Sequence, residues 1–322
     1  MAMSRQDAIN DALARLSDLG FTYGPNYAEH GPMAAEAIST LGHNDAVADW
    51  VEAYKKDHRP HPLPPRCQPI DGADEQKWRP ALGNRSRLSD WYDHFRQELS
   101  TDASHDVVRR WAPRLIDGHA GALTHGLIRT SHALRGLPLD GEPTQLQLDE
   151  LARGLAYWAG TYQTPSRRVD PTPLVALPDA AQDGAGTALS RHTAFLGRVL
   201  LAHIDRPMTP VIQLVHTITS AGAIRTLLPL LPYEFAEDAY NAAKRVSADI
   251  LARVVSAPLA LTDAEPSRCQ LQWDDLAARA VAHRDEHVIK LTDACLHEDF
   301  IRPDPVYRAV AEAIQHCLPA WS

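Results

Sequence analysis

The 322-residue sequence predicts an all-α protein, a single compact multi-helix domain over residues 1–322. Three observations carry that expectation. Apolar residues recur at three- and four-residue steps, period-two alternation is almost absent, and glycines stand where helix C-termini favour them. The first apolar stripe, Ile9, Leu13, Leu16 and Leu19, stops at Gly20, and the second, Met33, Ala34, Ala37, Ile38 and Leu41, stops at Gly42. The same spacing predicts helices over 45–56, 87–99, 104–111, 120–134, 147–162, 188–205, 209–228, 233–255, 274–297 and 305–317. Two stretches interrupt it, HRPHPLPPRCQP at 58–69 and TPSRRVDPTPLVALPDAAQDGAG at 164–186, where proline density forbids regular helix. Helices of similar character flank both, so they are read as long loops inside one domain. No repeat with a period of 30 to 50 residues is present, which excludes a solenoid.

Composition narrows the function. Hydrophobic residues make up 44% of the chain, enough for a sizeable core, and the formal charge of -9 comes with scattered arginines, so no basic stripe exists for a nucleic acid. The four cysteines, Cys67, Cys269, Cys295 and Cys317, form no C-x-x-C pair, which fits a reducing cytoplasm. The N-terminus is charged from Arg5 onward, and no run reaches the ~20 apolar residues of a membrane span. A cytoplasmic protein with no membrane or nucleic-acid partner is expected. G-x-G-x-x-G, G-x-x-x-x-G-K-[ST], H-E-x-x-H and G-x-S-x-G are all absent, which excludes a Rossmann flavin or nicotinamide motif, a P-loop and a hydrolase elbow.

Sixteen histidines stand against five phenylalanines and four methionines, and histidine is the commonest metal ligand. On a continuous helix His283, His287 and Lys290 share one side, beside Ala277, Val281, Val288, Leu291 and Cys295. A lysine snorkelling to water fits that spacing as well as a ligand does. Lys290 is notable as one of five lysines in a chain with 27 arginines. The segment VIQLVHTITSAGAI carries no formal charge, so its His216 is expected to be buried, with Thr219 and Ser220 as an ordinary way to satisfy it. His125, Arg129 and His132 stack at i, i+4 and i+7, a face that fits an anion, a metal, an oxygen-rich ligand or plain solvent. His30 precedes Pro32, a residue suited to a first helical turn. His105-Asp106 matches the dipeptide of helical metal-dependent phosphohydrolases, while His192, His203 and Asp205 lie along a further helix without an assigned role.

Five segments in order, AEHGPMAAEAISTLG (28–42), THGLIRTSHAL (124–134), GLAYWAGTYQ (154–163), LVHTITSAGAIRTLLPLLP (214–232) and DEHVIKLTDACL (285–296), resemble the questin oxidase-like family. These are helical oxygenases of aromatic polyketide tailoring. The resemblance spans most of the chain. It implies oxidation or oxidative cleavage of an anthraquinone-like ring, with O2 and an aromatic small molecule as partners. It also implies a non-haem Fe(II) held by His30, His125, His216, His287 and a CO2-modified Lys290, with NADPH as an electron source and no flavin. A lysine amine forms a carbamate and an arginine does not, which would explain the residue choice at 290. Arg129, where fungal members often carry a second histidine, and His132 would then line the substrate pocket. Two rivals are a helical metal-dependent hydrolase using His105-Asp106 and a non-catalytic carrier of an apolar aromatic ligand.

Overall fold

The computed structural model describes residues 3–165, 184–255 and 269–321, and within them the chain is all-α apart from one two-stranded hairpin. Loop 58–69 is free of helix, as its prolines require, whereas most of the loop expected at 164–186 lies outside the described residues. The contacts gather the chain into two compact units.

The first unit comprises Met1–Ser39, Asn44–Thr164 and Pro229–Pro232. Its elements run α1 (Arg5–Arg15), β1 (Thr22–Tyr23), β2 (Tyr27–Ala28), α2 (Gly31–Thr40), α3 (Val47–Asp57), α4 (Glu75–Trp78), α5 (Leu88–Leu99), α6 (Ser104–Leu115), α7 (His125–Gly136) and α8 (Gln145–Gly160). Local signals start several of them: Ser4 accepts the Asp7 N–H, and Thr144 and Gln147 cap each other reciprocally at the head of α8. Helices α7 and α8 approach unusually closely, and two glycines allow it. A Cβ at Gly126 would stand 2.3 Å from Trp158 Cα, and one at Gly154 would stand 2.8 Å from Thr130 Cα. Each glycine thus receives the backbone one turn away from the other, which fixes the register that presents His125 and Arg129.

The helix expected over 120–134 is only partly right. Ala122, Leu123 and Thr124 have φ of 47°, 54° and 67°, a left-handed turn without a glycine, and right-handed helix begins at His125. Such φ values cost L-residues roughly 1–2 kcal/mol each. Gly121, just before the turn, is forced by contact: a Cβ there would stand 1.6 Å from Thr161 O.

The second unit comprises Thr40–His43, Pro165–Leu228 and Tyr233–Ser322. It holds α9 (Ala185–Ala202), α10 (Met208–Leu227), α11 (Tyr233–Val254), α12 (Trp273–His283), α13 (Glu286–Ile301) and α14 (Pro305–Cys317). Leu196, Leu214, Ile218, Leu251, Leu291 and Val310 join these helices in one buried cluster. Helix α10 and its continuation, Met208–Leu230, are long and apolar enough to cross a membrane by length and composition alone, but 67% of the most apolar window is buried inside the structure. That burial is what a core helix shows.

A second correction concerns the helix expected over 274–297, which is two helices. Arg284 adopts a left-handed φ of 69°, and Asp285 restarts the chain by accepting the His287 and Val288 N–H groups. The expected stacking of His283 with His287 and Lys290 therefore fails. His283 ends α12, and its Nε2 lies 3.0 Å from Leu318 O.

Candidate metal-binding site

In the first unit His30 and His125 meet, with Nε2 to Nε2 at 2.6 Å. His30 leaves the hairpin immediately before α2, and its backbone N–H donates to Tyr54 Oη at 3.1 Å. His125 opens α7 directly after the left-handed turn. That turn aims Ala122 O at His125 Nδ1, 2.6 Å away, so Nδ1–H donates to the carbonyl and Nε2 keeps its lone pair. The His30–His125 contact is then a hydrogen bond donated by His30. A metal-ligating histidine needs the same arrangement, one ring nitrogen tied to a carbonyl and the other free of its proton.

In the second unit His216 and His287 meet, their ring centres 5.4 Å apart and their planes inclined at 65°. His216 is buried, as its uncharged surroundings predicted, and its Nδ1 donates to Ile212 O one turn earlier at 2.7 Å. Thr219 and Ser220 bond to Val215 O and Thr217 O, so the expected hydroxyl partners serve the backbone. Lys290, one turn beyond His287 on α13, is only 2% exposed. It does not snorkel to water. Asp285, Glu286 and His287 each offer a ligand atom within 4.8 Å of the others, a group able to hold a metal ion.

Arg129 and His132 lie along α7 from His125, and buried carboxylates hold both. Arg129 is 1% exposed; Nε and Nη2 donate to Glu150 Oε1 and Oε2 at 2.7 and 2.9 Å, and Nη1 donates to Gly20 O at 3.3 Å. His132 Nδ1 is 2.6 Å from Glu36 Oε2 and lines a cavity of about 20 Å³, room for a single water. Burial alone would raise the Glu36 carboxyl, but Arg135, His132 and Arg5 outweigh it and hold the pKa at about 2.

These acids escaped the reading of the sequence. Glu29, next to His30, is another: it is 1% exposed, and Oε1 accepts the Gly31 N–H at 2.8 Å. Burial raises its pKa, opposed by hydrogen bonding from Tyr54 and Gly31 and by the charge of Arg129. The only signal was its place in the string E-H-G. His105 and Asp106 are exposed, and Asp106 pairs with Arg109 on the surface at 2.6 Å, so the dipeptide shows no buried site for the hydrolase reading. His192 is fully buried on α9, neither ring nitrogen has a hydrogen-bond partner among the described residues, and its ring stands edge-on to Tyr240 at 5.9 Å.

No family model matches the chain, and no curated protein matches it.

Proposed function

We propose that this protein is a metal-dependent oxygenase of the questin oxidase-like kind, acting on a hydroxylated aromatic polyketide, with His30, His125, His216, His287 and Lys290 as the ligand set. The observation that carries the reading is the tautomer control in each pair. His125 and His216 each donate Nδ1–H to a backbone carbonyl, which leaves Nε2 as a lone-pair donor inside the protein. The donor set suits Fe(II), since imidazoles with one anionic oxygen and no thiolate are typical of non-haem iron.

Iron held by these residues would supply Lewis-acid and redox chemistry for the oxidation of a phenolic substrate by O2. The residues do the rest. Lys290 is 2% exposed, and a lysine amine can add CO2 and release a proton to give an anionic carbamate oxygen. Arg129 is neutralised by Glu150 and lies with its guanidinium 5.9 Å from the centre of the Phe21 ring, so its part is to hold α7 in place beside His125. His132 is the polar group offered to the substrate from the same helix. A nicotinamide as electron source and a cytoplasmic location belong to the same reading.

Metal analysis of the full chain after anaerobic reconstitution with Fe(II) tests the proposal. About one iron per chain is expected, falling sharply in His125→Ala and His216→Ala, together with O2 uptake on a polyhydroxylated anthraquinone. Lys290→Arg should lose iron and the carbamate signal from isotopically labelled bicarbonate. Full iron content and turnover in Lys290→Arg would eliminate the carbamate, and iron retained in both histidine variants would eliminate the site.

A further inference from the structure

Helix α2 starts on a histidine, since His30 stands at its N-cap position. The first backbone N–H groups of a helix have no partner within it, and a short polar side chain at the N-cap ordinarily accepts one. Here the Ala34 N–H closes the first turn on His30 O at 3.0 Å, while the ring meets His125, Nε2 to Nε2 at 2.6 Å. Two other side chains take up the capping. Glu29 Oε1 accepts the Gly31 N–H at 2.8 Å, and Tyr54 Oη, from α3, accepts the His30 N–H at 3.1 Å. The Tyr54 O–H in turn donates to the Glu29 carboxylate, so the two caps brace each other.

The Tyr54 hydroxyl is held in place. Tyr54 is fully buried, and its ring is stacked on Trp50, one turn before it, and on His58, one turn after it, with centres 5.0 and 3.9 Å away and planes inclined by 20° and 5°. His58 Nδ1 lies 2.7 Å from Tyr54 O, which ties the stack to the backbone, and Tyr23 stands edge-on to both rings. Room for the caps comes from Gly31, where a Cβ would stand 3.0 Å from Glu29 Oε1 and 3.1 Å from Tyr54 Cε1. Burying the Glu29 carboxyl costs desolvation energy, which an ordinary Asp or Ser cap at position 30 would avoid. What the arrangement gains is an N-cap position that can carry a histidine ring.

We propose that Tyr54 and Glu29 are positioning residues for His30: by holding the His30 and Gly31 N–H groups they fix the ring against His125, and so set the reach of His30 toward an ion. The consequence for an ion rests on the metal reading. The positioning itself belongs to the ion-free protein.

Proton and nitrogen NMR of the full chain without metal tests this. The reporter is the downfield proton of the His30–His125 hydrogen bond, assigned by its absence in His125→Ala. Tyr54→Phe keeps the stack and removes only the hydroxyl. It should abolish that signal or move it upfield toward an ordinary imidazole N–H, and it should weaken Fe(II) binding about tenfold or more in anaerobic competition with a chelator. Glu29→Gln, which keeps an acceptor oxygen, should retain the signal, and Glu29→Ala should lose it. Tyr92→Phe, at a buried tyrosine of the same unit that packs edge-on to Phe21, should match the parent in both readouts, which separates positioning from a general loss of stability. An unchanged signal or parental iron affinity in folded Tyr54→Phe would overturn the proposal, and so would equal signals in Glu29→Gln and Glu29→Ala should Tyr54→Phe fail to fold. A parent that binds no iron, with the signal lost in Tyr54→Phe, would uphold the positioning and eliminate the metal reading.

Discussion

Acid should destabilise the second unit through His192 in particular. Burial, first, and the charge of Lys244, second, push its pKa from 6.5 down to about 3. Lys244 Nζ lies 5.5 Å from the centre of the Tyr240 ring, the ring that His192 meets edge-on. Because the folded pKa is depressed, the unfolded chain binds the proton first. His192 therefore costs no protonation energy above pH 6.5, and stability falls as pH drops from there toward 3. Each pH unit in that window is worth about 1.4 kcal/mol, so lowering the pH from 7.5 to 5 removes about 2 kcal/mol through this residue. His192→Leu keeps comparable bulk and sacrifices no hydrogen bond, since neither nitrogen makes one among the described residues. Urea unfolding of parent and variant across pH 5 to 7.5, followed by fluorescence and circular dichroism, reads the effect. The variant should gain about 2 kcal/mol on the parent as the pH falls, and parallel stability curves would refute the argument.

Three further outcomes follow from the geometry. Gly126→Ala should destabilise the first unit by about 3 kcal/mol or more, because the added carbon meets backbone at 2.3 Å; a denaturation midpoint at the parent value would contradict that packing. Ala122→Gly should stabilise by about 1 kcal/mol, the reverse of the usual alanine-to-glycine change, since glycine takes the 47° φ without strain. The same unfolding curves decide it. Arg129→Ala should cost about 3–5 kcal/mol by leaving Glu150 buried without its charge partner, while Arg129→Met combined with Glu150→Leu should recover most of that loss. A mild effect of Arg129→Ala with a large loss of substrate affinity would instead return Arg129 to the substrate.

The helices that were legible in the sequence carry their own punctuation. Helix α14 runs from Pro305 to Cys317 as the spacing predicts, because Asp304 caps it and Pro305 suits its first position. The break at Arg284 was not legible. Apolar residues continue in helical phase on both sides of it, and the residue that turns left-handed is an arginine, which gives no local signal for that conformation. Ala122, Leu123 and Thr124 hid the turn before His125 for the same reason. Of the candidate site, the histidines were legible as residue types on apolar stretches, and their carboxylate neighbours were not. Glu36 lies 96 residues from His132, and Glu150 lies 21 from Arg129, so only the folded chain reveals which acids neutralise which cations.

Burial by itself does not mark a histidine as a ligand, and His192 and His125 show why. Both are buried, and both depend on structure that local propensity would not choose. At His192 the cost is desolvation with no hydrogen bond to offset it, and it brings no preference for one tautomer. At His125 the cost is a left-handed turn of three ordinary residues, and the turn delivers a carbonyl 2.6 Å from Nδ1. Strain of that kind persists only where surrounding packing over-determines it, and here Gly121 and Gly126, pressed against Thr161 and Trp158, supply the packing. The consequence is specific: Nδ1 of His125 donates to Ala122 O, and its Nε2 faces His30 Nε2 at 2.6 Å. Ala122→Gly should therefore keep the hydrogen bond and the tautomer, whereas Ala122→Val, whose branched side chain is poorly suited to positive φ, should lose both. Nitrogen NMR of the His125 ring distinguishes the two variants, and an unchanged Nδ1–H signal in Ala122→Val would show that the turn does not set the histidine.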